Sequence, residues 1–401
     1  MMMKNGCPLA WVETNSDEFY LDPNAVLGVG GERPSLANSE YGIEVLGFDL
    51  VRGAFRDKRL TPRDLAYFEQ LGASPLILEF IRDGNLNFMS ADKHDRIRPI
   101  IAKAMTPARI DAFRPRMREI ADELIGSLAQ RGEGDLVADF AHPYPIAVMA
   151  EFIGVPHSDI PSFSEATVQL RMLGQKPFKP GMPVLEAALT FLFGHLEALV
   201  VERRAARRDD FVGGLIALQE QGEKLNEREL IWALVFLMLA GHDTTRYTLS
   251  GCLHSVIAAG YWDRLAADSS LILPAIQESM RLSPGTPRQM RVVAEELELA
   301  GHRLGPGDIV SLNLAAAGRD PSTFEEPREF RCPRRGAQYD IGFGFGRFVC
   351  IGQSLARAEM AEALGRLTVQ LAEPEFVDDV KLKPTGVIGG YDVLPVRVRL
   401  R

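Results

Sequence analysis

The stretch from Leu230 to Ala259 constrains this chain most, because it reads as one long helix with an unbroken apolar first half, Leu230 to Gly241. Asn226 is placed to cap its start, with Glu229 reaching back, and Gly260 to end it. At about 1.5 Å per residue such a helix crosses most of a domain. Its apolar half is too short to span a bilayer and suits a buried position. A helix buried along this length needs other helices around it, so a large, mainly helical body is expected.

Polar residues interrupt that helix at Ala240-Gly241-His242-Asp243-Thr244-Thr245. Polar groups deep in a core helix are destabilising unless they are paired or used. Thr244 stands four residues after Ala240, so its hydroxyl can bond that carbonyl and bend the helix locally. Ala240 and Gly241 leave room for a small ligand, and Asp243 beside them is placed to relay protons. Taken alone, these residues favour a hydrogen-bonded kink without chemistry. His242 reads as a packed or surface histidine rather than a ligand.

A second segment carries chemistry of its own. Gly342, Gly344 and Gly346 alternate before Cys350, Gly352 follows, and a helix begins there. Glycines let the backbone turn tightly and approach a flat ligand closely. A cysteine just before a helix N-terminus is favoured as thiolate by the unpaired N–H groups and the positive dipole end. Such a thiolate can bind iron axially. The competing readings are an inert cysteine in a glycine-rich turn and a nucleotide fingerprint. The fingerprint fails, because Val349 stands where its third glycine belongs. Cys7, Cys252 and Cys332 are far apart, show no paired metal-ligand spacing, and are expected as free thiols.

Composition narrows the function classes. The chain has 401 residues, a net charge of -9 and a pI near 5.5, which argues against nucleic acid as a partner. The start, Met1 to Cys7, lacks the apolar core of a signal peptide, so a cytoplasmic, water-soluble protein with no membrane contact is expected. Tyr41 to Phe55 suggests a strand and then a short helix; Asp92 to Ala259 is mostly helical, with a Pro/Gly-rich break at Gly174 to Pro183. Arg291 to Leu299 and Asp308 to Leu314 read as strands, Gly318 to Phe348 as irregular, and Gly352 to about Ala372 as helix. Val387 to Leu400 reads as a hairpin with Gly389 and Gly390 near its turn. Glu278 and Arg281 are three apart on a helix from near Pro274 to before Pro284, either a surface ion pair or a buried lock. His94 and Arg98 share a helix face, and with Arg291 they can together bind carboxylates.

Taken together, and in this order from about Met89 to the tail, these segments resemble the cytochrome P450 family in its soluble bacterial form. The carriers are Phe343, Gly344, Gly346, Cys350 and Gly352, continuing through Leu355, Ala356, Arg357 and Glu359; the segment Ala240 to Thr245; Glu278-Ser-Met-Arg281; and His94, Arg98 and Arg291. The resemblance implies an α+β fold, mainly α with small β-sheets. It forms a single large domain over residues 1–401, with a β-rich part at about 20–60, a helical part at about 61–280, and strands, meander, cysteine loop and last helix at about 281–401. Heme b (iron protoporphyrin IX) would lie between the long distal helix, at Ala240 and Gly241, and the loop carrying Cys350, the iron ligand. His94, Arg98, Arg291 and Arg347 would hold its propionates.

The resemblance further implies a haem-thiolate monooxygenase. Asp243 and Thr244 would serve dioxygen activation, and the outcome would be hydroxylation or oxidative dealkylation of a small to mid-sized lipophilic substrate. Electrons would come from NAD(P)H through ferredoxin reductase and a ferredoxin docking near Arg334, Arg335, Arg347 and Arg357. Tentative pocket residues are Ile77, Leu78, Leu173, Phe178, Met290 and Ile388. The alternatives are a hydrogen-peroxide-driven peroxygenase, a non-catalytic haem-binding sensor or carrier, and a helical protein without haem. Three departures from the family pattern stand out. Phe348 occupies the place of the usual His or Arg two residues before the cysteine, Pro99 falls inside the helix carrying Arg98, and Glu329 replaces an arginine of the meander, so no third member of the Glu278–Arg281 lock is expected.

Overall fold

The computed structural model describes residues 9–28, 33–174, 177–334, 341–383 and 386–401. Cys7 and Arg335, both singled out above, lie outside these. The long central helix runs Glu227–Ala258 with the expected capping box: the Asn226 side chain accepts from the Glu229 N–H, and the Glu229 carboxylate accepts from the Asn226 N–H. Gly260 takes a left-handed φ of 64°, which turns the chain out of the helix. The first half, Leu230 to Met238, is fully sequestered, and the helices Pro143–Ile153, Met182–Ala205 and Ile272–Leu282 pack around it. Met182–Ala205 lies within a stretch, Lys179–Ala205, long and apolar enough to cross a membrane by length and composition. Its Leu185, Leu189, Leu192 and Leu196 are buried in the helical core.

The β structure sits beside this body. Leu36–Ser39, Gly42–Val45, Ile309–Asn313, Arg288–Val293 and Leu60–Thr61 are neighbours in that order in a five-stranded sheet. All pairs are antiparallel except Gly42–Val45 with Ile309–Asn313. The expected strand and short helix in Tyr41 to Phe55 appear as Gly42–Val45 and Phe48–Ala54.

Two expectations are corrected. The strand read over Arg291 to Leu299 is two strands in different sheets. Arg288–Val293 ends where the Ala294 N–H donates to the Arg59 carbonyl, and Leu297–Leu299 turns back on His302–Leu304 through Ala300 and Gly301, both at positive φ. The tail is not a hairpin closed on itself. Gly390–Val393 pairs with Lys381–Lys383, while Pro395–Arg397 pairs with Glu133–Asp135 and Glu375–Phe376. Gly390 is needed for close approach rather than for a turn, since a Cβ there would stand 3.2 Å from the Tyr20 hydroxyl and 3.3 Å from the Tyr247 ring and carbonyl.

Candidate functional site

A cavity of about 840 Å³ lies between the central helix and the loop before the last helix, Gln353–Gln370. Ala240, Gly241, Asp243 and Thr244 line it on one side, and Phe343, Gly344, Cys350 and Gly352 on the other. His94, Arg98, Leu173, Met290, Arg291 and Ile388 complete the set of expected residues found on its walls. Ile77, Leu78 and Phe178, expected there, belong to the packed core instead. Phe178 meets Phe68 with ring centroids 6.4 Å apart, and it is Phe68 that reaches the cavity.

The cysteine loop is shaped by its glycines. Gly344 and Gly346 take φ near +70°, where a side chain would be strained, and a Cβ on Gly346 would stand 3.0 Å from the Phe55 carbonyl oxygen. The Cys350 N–H donates to the Phe343 carbonyl at 2.8 Å, closing the loop. Arg98 crosses from its helix, Ala91–Ala104, to donate to the Val349 carbonyl at 2.6 Å. Pro99 lies inside that helix and forgoes one backbone N–H bond without ending it. Cys350 is exposed into the cavity, whereas Cys252 and Cys332 are buried thiols pushed up to about 12 and about 11. Only Cys350 of the three is therefore placed for chemistry.

Phe348 forms an aromatic bridge. Its ring lies 4.8 Å from the His94 ring, and the Arg291 guanidinium sits 5.7 Å from its centroid. Arg347 does not swing toward the cavity. It is held by Asp95 at 2.7 Å and by the Ala91 carbonyl at 2.8 Å, which corrects its expected contact with a cofactor carboxylate. Gly346 likewise is not among the cavity walls. Arg291 is 5% exposed, and burial brings its pKa down to about 10. Its one hydrogen bond is to the Met290 carbonyl, and no carboxylate faces it among the described residues. A buried cation without a counter-ion is destabilising. Arg98, also depressed by burial, and His94, 2% exposed, stand on the same cavity walls. This donor set fits a flat dianionic ligand whose carboxylates the protein itself does not supply.

On the opposite wall the Thr244 hydroxyl donates to the Ala240 carbonyl at 2.7 Å, as expected. Asp243 is 8% exposed, its Oδ1 has no hydrogen-bond partner, and burial raises its pKa. Glu359 is 2% exposed and lines the cavity, and burial carries its carboxyl up to about 8 against the lowering effect of a Thr245 hydrogen bond.

The Glu278–Arg281 pair is buried, and the lock has the third member that sequence reasoning did not expect. Arg334 Nη2 lies 2.9 Å from Glu278 Oε1, beside Arg281 Nη2 at 2.8 Å. Arg281 also donates to the Gly318, Pro327 and Glu329 carbonyls, tying the irregular stretch to the helical core. Arg334 is thus inward-facing and is withdrawn from the proposed docking surface.

Residues 271–373 match the cytochrome P450 family model. A relative named Cytochrome P450 107B1, from Saccharopolyspora erythraea, is 34% identical over 76% of this chain and 75% of its own. The chain belongs to the cytochrome P450 family. Other relatives of this P450 are the vitamin D(3) 25-hydroxylase of Pseudonocardia autotrophica, 30% identical over 86% of this chain and 85% of its own, and the cyclomarin C epoxidase of Salinispora arenicola, 33% identical over 70% and 72%. Among solved structures, the P450 CxnD, described as acting in C–S bond formation, superposes with a TM-score of 0.84 at 29% identity over 99% of both chains. The P450 fold, mainly helical with small sheets in one domain, and monooxygenase membership are thereby established, and the family implies a haem-iron cofactor.

Proposed function

We propose that this P450 is a haem-thiolate monooxygenase in which Cys350 ligates the iron of heme b. The observation that carries this is the facing of Cys350 by Ala240, Gly241 and Thr244 across one cavity whose buried Arg291 meets no carboxylate among the described residues. Arg291, Arg98 and His94 would receive the two propionates, and the Phe348 ring would brace His94 and Arg291. When bound, the haem supplies activation of dioxygen, and an anionic sulfur ligand favours cleavage of the O–O bond.

The chain's own residues do the rest. Asp243, whose pKa is raised by burial, stands at the cavity wall where it can take up and pass on a proton. Thr244 presents its hydroxyl oxygen to the cavity while its proton is engaged by the Ala240 carbonyl. Leu237, Leu239, Met290 and Ile388 exclude water and fit a small or mid-sized lipophilic substrate, with hydroxylation or oxidative dealkylation as the outcome. Electrons would come from NAD(P)H through ferredoxin reductase and an acidic ferredoxin, docking where Arg347 stands 42% exposed on the cysteine side. Its bacterial relatives support a cytoplasmic, water-soluble enzyme.

The test is the difference spectrum of the reduced, carbon-monoxide-treated protein. A strongly red-shifted Soret band, lost in Cys350→Ala, is the expected result. A band of the neutral-ligand type would overturn the thiolate assignment.

A further inference from the structure

On the side of the central helix away from the cavity, His242 is 1% exposed and does not line the haem cavity. Its Nε2 lies 3.2 Å from Nδ1 of His142, the residue preceding the helix Pro143–Ile153, with the ring centroids 4.9 Å apart. Its other nitrogen, Nδ1, lies 3.6 Å from Asp243 Oδ1, the oxygen that has no hydrogen-bond partner. That gap is one small side-chain rotation from hydrogen-bond contact. His142 in turn lines a second cavity, of about 260 Å³, together with Glu123, Glu151 and His157. His157 is 76% exposed and its Nδ1 stands 3.4 Å from Glu151, so titratable groups that meet solvent border this second cavity.

We propose that His142 and His242 form a proton relay that resupplies Asp243 from the second cavity, on the side of the helix opposite the haem. The proposal rests on the haem-thiolate reading, because it gives that reaction its proton source. Each imidazole has two nitrogens, one carrying a proton and one accepting. A proton taken up at His142 Nε2 releases the one at Nδ1 to His242 Nε2, and the proton at His242 Nδ1 passes to Asp243 Oδ1. Both rings are left in the opposite tautomer and are reset by rotation or by exchange with solvent. The net result is one proton moved from the second cavity to the carboxylate, with no change in charge on either histidine.

The surroundings suit this role. Burial lowers His142 and brings His242 down to about 3, so both rings are neutral at physiological pH and one can donate while the other accepts. The charges facing them, Arg246 and Arg171, hold them neutral; Asp392 opposes this weakly at His142, and Lys383 acts with the two arginines on Asp243. Asp243 is held by its cationic neighbour only through a long ion pair, with Arg246 Nη1 3.9 Å from Oδ1.

The test uses the holoenzyme and its variants His142→Gln and His242→Gln, which keep hydrogen-bonding ability but cannot pass a proton between two ring nitrogens. Oxygen consumption is driven by NADPH through a surrogate ferredoxin and reductase, in light and heavy water. Whether oxygen ends in product or in peroxide, each two-electron reduction takes up two protons. Both variants should consume oxygen at least fivefold more slowly, with a solvent isotope effect at least twofold larger. The nitrogen-15 imidazole spectrum of the reduced, carbonyl-bound wild type should show two neutral rings sharing one proton. Wild-type rates and isotope effects in both variants, or a wild-type spectrum with no shared imidazole proton, overturn the relay. A wild type without the thiolate-type carbonyl band would instead overturn the haem-thiolate reading.

Discussion

Single side chains carry three separable consequences. Arg291 faces no carboxylate among the described residues, so a haem propionate would be its counter-ion. Replacing it by alanine should speed haem transfer to apomyoglobin about tenfold, equivalent to roughly 1.4 kcal/mol. Thr244→Ala should lower product formed per NADPH severalfold while peroxide release rises, and unchanged product yield would contradict the role given to Thr244. Glu359 offers a pH signature. Burial pushes its folded carboxyl up to about 8, from about 4.5 for a free one. Between those values the folded state keeps a proton that the unfolded state has lost, so Glu359 makes stability fall as pH rises, by up to about 1.4 kcal/mol per unit. Glu359→Gln should flatten that decline in melting temperature between pH 5 and 8. The residues behind these expectations were unequally legible. Cys350, Asp243 and Thr244 stand out because their chemistry depends on local spacing. Ile77, Leu78 and Phe178 were misplaced because an apolar side chain looks the same whether it faces a cavity or a core.

Among the elements, the central helix was readable to within a few residues, because its capping box and apolar run are local signals. The tail was not, because its strands pair with Glu133–Asp135 and Lys381–Lys383, and pairing of this kind leaves no mark in the strand's own sequence. Arg334 was missed for a related reason: it reaches Glu278 only after the irregular stretch has folded back on the helix Ile272–Leu282. That lock should be costly to break. Arg334→Ala leaves Glu278, 3% exposed, with Arg281 and the Arg331 N–H, and removal of a partner from a buried ionic cluster typically destabilises by about 3 kcal/mol or more. The urea midpoint of the haem-loaded protein should fall accordingly, and a shift of a few tenths would mean that solvent replaces the missing guanidinium.

For the whole molecule, the cavity is a large void walled by both the helical body and the cysteine loop. A ligand that binds only the folded state stabilises it by mass action, by about 4 kcal/mol when present at a thousand times its dissociation constant. Haem-free protein should therefore melt several degrees lower than the loaded form, and re-addition of haem should restore the difference. The apolar wall has one further property. A Cβ on Gly241 would come within 2.2 Å of the terminal methyl of Met149, so that methyl would have to move aside for any side chain there. Met149 is unbranched and flexible, and it lies on the neighbouring helix rather than on the helix carrying Asp243 and Thr244. Selection for a bulkier or slimmer substrate thus has a dial at position 149 that can be turned while the proton-handling residues stay where they are.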